Sequence, residues 1–161
     1  TVGEAVSFVH ACRYPPVGHR SLAYGGPQFE YATLPPGEAM AGINDQTLLV
    51  MMIETPRAVE NAAAIAAVDG VDILLVGGSD LSATMGIPGQ MTHPDFVDAI
   101  GKVVDGANAA DKWAGLGGVY DEVLLPGFIE RGMRFILGGS DLAFILAGAK
   151  ARGDFFAKMQ P

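Results

Sequence analysis

Two acidic residues, Glu54 and Asp80, stand 26 positions apart, and each closes a run of apolar residues. Glu54 ends Leu48-Leu49-Val50-Met51-Met52-Ile53; Asp80 follows Ile73-Leu74-Leu75-Val76 across Gly77-Gly78-Ser79. An apolar run bounded by turn signals reads as a strand covered on both faces. α/β folds place their chemistry at the carboxyl ends of such strands, so both carboxylates are aimed at a site. Two of them from neighbouring strands supply part of the oxygen shell that a hard divalent cation takes. The plainer use of either is as a helix N-cap or a solvated loop charge.

The elements that must position this pair repeat along the chain. Four strand-then-helix units are legible: 48–54 with a helix at 56–68, 71–77 with 93–111, 114–119 with 121–131, and 134–138 with 141–152. Strands alternating with helices predict an α/β fold with a parallel sheet. A parallel sheet of only four strands leaves two unpaired edges and an uncovered face, which natural proteins avoid.

Further words extend the pattern. They are Arg13-Tyr14-Pro15-Pro16 with Gly18 and Arg20, Ile53-Glu54-Thr55, Gly77-Gly78-Ser79-Asp80-Leu81-Ser82 followed by Met85-Gly86, and His93-Pro94. In this order and spacing, the stretch from about Val9 onward resembles the HpcH/HpaI aldolases, the metal-dependent pyruvate aldolases. The resemblance implies a (β/α)8 barrel, which needs ~250 residues. It begins after the family's fourth strand, so residues 1–161 correspond to the C-terminal half of a single barrel. By resemblance, Glu54 and Asp80 are the protein ligands of Mg²⁺ or Mn²⁺, with Co²⁺ also accepted. The backbone of Gly77, Gly78 and Ser79 holds the pyruvate carboxylate. Met52 stands where the family often has a Gln that contacts substrate. The family's general base, a His, and its substrate-clamping Arg belong to the half outside this sequence, which leaves the catalytic base unassigned.

The implied reaction is aldol cleavage or addition of 4-hydroxy-2-oxo acids, with the enolate of pyruvate or a close 2-oxo acid attacking an aldehyde. A cation polarising the keto group acidifies the adjacent methyl. No Lys closes a strand, so no Schiff-base nucleophile is visible; Lys102, Lys112, Lys150 and Lys158 read as solvated helix charges. An acyl-coenzyme A lyase of related fold and a non-catalytic assembly subunit are the alternatives. The first would need a basic adenine-binding surface, which this sequence lacks. The second would leave two strand-end carboxylates without a purpose.

The remaining motifs are read more plainly. Gly-Gly-Ser-Asp-Leu recurs at 77–81 and 138–142, as two units of a quasi-repeating barrel would show. Such turns can cradle phosphate through free N–H groups, but neither has a Lys or Arg beside it. Asp141 is expected to cap the last helix. Residues 17–44, with Gly25-Gly26-Pro27 and Pro35-Pro36-Gly37, read as a long loop over the barrel mouth. Arg20 within it could fork onto a substrate carboxylate or form a structural ion pair. His10 lies in a helical pattern, His19 in a loop that could approach the site, and His93 before Pro94 at a helix start. The last helix, 140–152, is apolar nearly all round, so it is expected to be buried on both sides. The family's hexamer, a trimer of dimers with swapped last helices, is compatible with that.

The net charge of −8 argues against nucleic acid or an anionic membrane as partner. One cysteine, Cys12, cannot form an internal disulfide and fits a reducing, cytoplasmic setting. No signal peptide or bilayer-spanning apolar run is legible.

Overall fold

In the computed structural model, which describes residues 1–23 and 26–159, four strands form one sheet in the order β1-β2-β3-β4. They are β1 (Val50–Ile53), β2 (Ile73–Gly77), β3 (Trp113–Gly117) and β4 (Met133–Ile136), and all pairings are parallel. Sequential order without reversal is the progression of a barrel wall; doubly wound sheets reverse their order at a switch point.

Helices α3 (Pro56–Glu60), α4 (Ala62–Ala66) and α6 (Pro94–Asn108) cover one face of this sheet, and α7 (Leu125–Glu130) follows β3. α6 shows how sequence dictates that layer. Phe96, Ala99, Ile100, Val103, Val104 and Ala107 recur at helical spacing and are all buried, an apolar stripe laid onto the strands. Gly106 lets α6 approach α4 closely: a Cβ there would stand 2.7 Å from the Ala63 nitrogen. Among the described residues no helix covers the opposite face, and there Met52, Trp113 and Leu137 remain 40–61% exposed. Among the described residues, β1 and β4 are unpaired edges.

Several boundaries differ from expectation. The helix expected at 56–68 is broken at Asn61 into α3 and α4. A short helix, α5 (Gly78–Thr84), begins inside the first Gly-Gly-Ser-Asp-Leu word, where only a turn was expected. Asp141 does not cap α8 (Asp141–Ala157). Ser140 does, accepting from the Ala143 amide at 3.3 Å, while Asp141 bonds its neighbour Leu142.

Residues 17–44 are not a continuous loop over the mouth. A 3-10 turn spans Pro27–Phe29, and α2 spans Pro36–Gln46; Gly25 of the expected turn lies outside the described residues. This region joins the amino ends of the strands. Tyr14 is fully buried, and its amide donates to Asn44 Oδ1 at 2.8 Å while Asn44 Nδ2 donates to the Tyr14 carbonyl at 3.1 Å. The buried Arg13 guanidinium donates to the Asn44 carbonyl and lies 3.6 Å from Asp72, just before β2. Asp72 in turn accepts from the Leu49 amide at 2.7 Å, just before β1. The Arg13-Tyr14 word therefore staples α2 and the lower ends of β1 and β2 together. α8 has no buried residue, contrary to the burial expected of so apolar a helix; none of the described residues covers it.

Candidate metal centre

The β1–β2 ladder runs from Val50↔Ile73 to Ile53↔Val76, so the next step sets Glu54 level with Gly77, which itself pairs with Gly117. Because side chains alternate along a strand, Glu54 shares the helix-free face of Met52. Its carboxylate lies directly against Gly77: a Cβ on Gly77 would be 2.7 Å from Oε1 and 2.8 Å from Cγ of Glu54. The missing side chain of Gly77 is the space that the half-buried Glu54 occupies.

Asp80 reaches the same end of the sheet by another route. β2 ends at Gly77, α5 starts at the next residue, and Asp80 stands exposed in its first turn. The backbone around that turn is closely packed by glycine. Gly118, at φ +77°, approaches so near that a Cβ would be 2.9 Å from Ser79 Oγ and 3.1 Å from the Ser79 amide nitrogen. Gly78 approaches the Gly117 carbonyl equally closely, at 3.1 Å for a Cβ. The structure thus sets Glu54 against Gly77 at the carboxyl ends of β1 and β2, with Gly78, Ser79 and Asp80 in the turn that follows β2 and Met52 two residues below Glu54 and half exposed.

Neither acid serves as a cap. Thr55 caps α3 by accepting from the Ala58 amide at 3.2 Å, and α5 has no side-chain cap. Among the described residues, neither carboxylate takes part in a hydrogen bond or ion pair. Two free carboxylates make a hard, oxygen-only donor pair suited to Mg²⁺ or Mn²⁺. Among the described residues no group of three or more His, Cys, Asp and Glu could hold a metal. A cation on Glu54 and Asp80 would therefore keep most of its shell for water and substrate oxygens, as Mg²⁺ prefers. The residues fit the group.

Arg20 is not brought to this site. Its guanidinium lies 4.9 Å from the centroid of the Tyr14 ring, at the amino-end staple. The histidines are elsewhere too. His19 contacts the His10 carbonyl at the end of α1 (Val2–Cys12), through both its amide at 2.8 Å and its ring at 3.1 Å. His93 caps α6, its Nδ1 accepting from the Asp95 amide at 3.2 Å. Lys102 pairs with Asp98 on α6 at 2.8 Å, and that hydrogen bond holds its ammonium pKa above the usual value. Two further residues contribute. Gly118 carries the same glycine-after-strand signal as Gly77-Gly78. Thr84, whose hydroxyl donates to the Glu54 carbonyl at 2.7 Å, has no local sequence signal.

A parallel sheet in sequential strand order, with helices on one face and carboxylates at its carboxyl ends, is the wall of a (β/α)8-type barrel. The HpcH/HpaI aldolase/citrate lyase model matches residues 1–147, and the chain belongs to that family. It is 35% identical over 158 residues to a 5-keto-4-deoxy-D-glucarate aldolase of Salmonella arizonae, across 98% of this chain and 60% of that protein. It is 38% identical over 149 residues to a 4-hydroxy-2-oxovalerate aldolase of Novosphingobium aromaticivorans, across 92% of this chain and 55% of that one. An HpcH/HpaI aldolase structure from Desulfitobacterium hafniense superposes with a TM-score of 0.84 at 28% identity, covering all of this chain and 61% of the other. The chain spans about 60% of the length of the curated relatives it matches, and its fold is that of a partial (β/α)8 barrel.

Proposed function

We propose that these residues form the metal-binding half of a carbon–carbon lyase site that cleaves or forms 4-hydroxy-2-oxo acids. The supporting observation is the pair of unpartnered carboxylates, Glu54 seated on Gly77 and Asp80 in the following turn. A divalent cation held by them would supply Lewis acidity, polarising the keto oxygen of a 2-oxo acid so that its methyl protons become acidic.

The chain's own residues do the binding and orienting. The Gly77-Gly78-Ser79 turn has no bulky side chain, so its backbone can approach a small carboxylate closely. Met52 gives the pocket wall beside Glu54 an apolar surface. The proton-accepting base and a clamping Arg belong to the remainder of the barrel, which would pair with the free edges of β1 and β4 and close over Met52 and Leu137. The aldolase names of the relatives support this reading, with pyruvate or a close 2-oxo acid as the nucleophile after enolisation.

The uncovered α8 supports self-association. Leu142, Phe144, Ile145 and Leu146 are 59–66% exposed, and exposed apolar surface of this extent marks an interface. We place it between copies of the chain in a homo-oligomer, with the hexameric trimer of dimers as the favoured form. Among the described residues no helix is long and apolar enough to cross a membrane; with a single cysteine, a cytoplasmic setting is favoured. The test of function is the exchange of pyruvate methyl protons for deuterium by the complete protein, with and without Mn²⁺. Metal-dependent exchange is expected, and exchange unaffected by a chelator would overturn the reading.

A further inference from the structure

We propose that Thr84 is a positioning residue that ties the two metal-ligating segments to each other. This rests on the reading of Glu54 and Asp80 as ligands. Thr84 is the last residue of α5, the helix whose first turn carries Asp80. Its Oγ1 is 2.7 Å from the Glu54 carbonyl and 3.0 Å from the Leu81 carbonyl. A threonine hydroxyl has one proton to donate. In a helix it ordinarily goes back to the carbonyl three or four residues earlier, here that of Leu81. The shorter contact runs instead out of the helix, across 30 residues of sequence, to the backbone of the ligand residue of β1. The paired register of β1 stops at Ile53, so this bond holds Glu54 just where the ladder no longer does.

The consequence is mutual. Glu54 takes its position from Gly77 beneath its carboxylate and from Thr84 at its carbonyl. α5 is anchored at its start by β2 and at its end by Glu54, so Asp80 and Glu54 move as one unit. Thr84 touches neither metal nor substrate in this scheme. Its contribution is the separation and orientation of two carboxylates, and groups supporting metal ligands affect affinity in just this way.

The test uses the complete protein with Thr84→Val, which keeps the branched shape and removes the hydroxyl, and Thr84→Ser, which keeps the hydroxyl. Mn²⁺ affinity is read by electron paramagnetic resonance of free Mn²⁺, alongside pyruvate turnover at subsaturating and saturating metal. The loss of one hydrogen bond, ~1 kcal/mol, corresponds to about fivefold. The expected result is Mn²⁺ affinity about fivefold weaker in Thr84→Val, near wild type in Thr84→Ser, with kcat largely recovered at saturating Mn²⁺ in both. Wild-type affinity in Thr84→Val overturns the inference, as does a loss of kcat that saturating metal does not restore. Glu54→Gln separates the two readings. If it binds Mn²⁺ like wild type, the ligand assignment itself fails and the Thr84 proposal falls with it.

Discussion

The carboxylate of Glu54 occupies the volume that a side chain on Gly77 would fill, with Oε1 2.7 Å from the position of the absent Cβ. The register of β1 against β2 produces this contact, since Glu54 and Gly77 are the next pair after Ile53 and Val76. Gly77→Ala should therefore push Glu54 out of place while the strand itself survives. We expect Mn²⁺ affinity to fall about 10- to 100-fold, with a far smaller change in the thermal midpoint. Isothermal titration beside thermal melting checks this, and unchanged affinity would show that the close approach has no role in the site.

How much of this was legible depends on where packing, and not local sequence, decided the outcome. β1 and β2 are continuous apolar runs, so both strands and the placement of Glu54 at a strand end follow from the residues. α5 and α2 were hidden because their first residues, Gly78-Ser79 and Pro36-Gly37, read as turns, and α2 buries only Ala39 and Ile43. The repeated Gly-Gly-Ser-Asp-Leu word is the sharpest case. In the first copy, pairing to Gly117 keeps Gly77 in the strand and helix starts at Gly78. In the second, the edge strand β4 ends at Ile136, Gly139 takes φ +148°, and the helix begins only at Asp141, behind its cap Ser140. Identical words diverge because only one of them has neighbours on both sides. Arg20 rests on the Tyr14 ring through tertiary packing, which nothing local in the sequence indicates.

The core of the half-sheet rests on α6. Phe96 is fully buried and meets the Phe128 ring edge-on, with centroids 6.2 Å apart. Phe96→Ala should cost about 3–5 kcal/mol through lost burial and the cavity left behind. A lowered urea midpoint in the complete protein measures it, and a change below ~1 kcal/mol would mean that α6 is not the main cover of the sheet.

Met52 lies on the same face as Glu54 and is half exposed. Met52→Gln would offer a polar group beside the cation site and add at most one hydrogen bond to substrate. The KM for pyruvate is expected to fall by about fivefold, the equivalent of ~1 kcal/mol, with kcat little changed. Steady-state kinetics decide it; an unchanged KM would place the substrate away from this wall.

α8 presents Leu142, Ile145 and Leu146 to solvent. If this surface joins copies of the chain, the double substitution Ile145→Lys and Leu146→Lys should lower the assembly mass. Light scattering after gel filtration is the check. An assembly of unchanged mass would mean that α8 lies outside the interface.

A cation held by Glu54 and Asp80 would acidify the methyl group of a 2-oxo acid. Proton NMR of pyruvate in deuterium oxide, with the complete wild-type protein, Glu54→Gln and Asp80→Asn, tests it without any need to know the aldehyde. Methyl exchange by the wild type is expected to require Mn²⁺ or Mg²⁺, to stop with a chelator, and to be lost in both variants. Metal-dependent exchange that persists at the wild-type rate in either variant would contradict it.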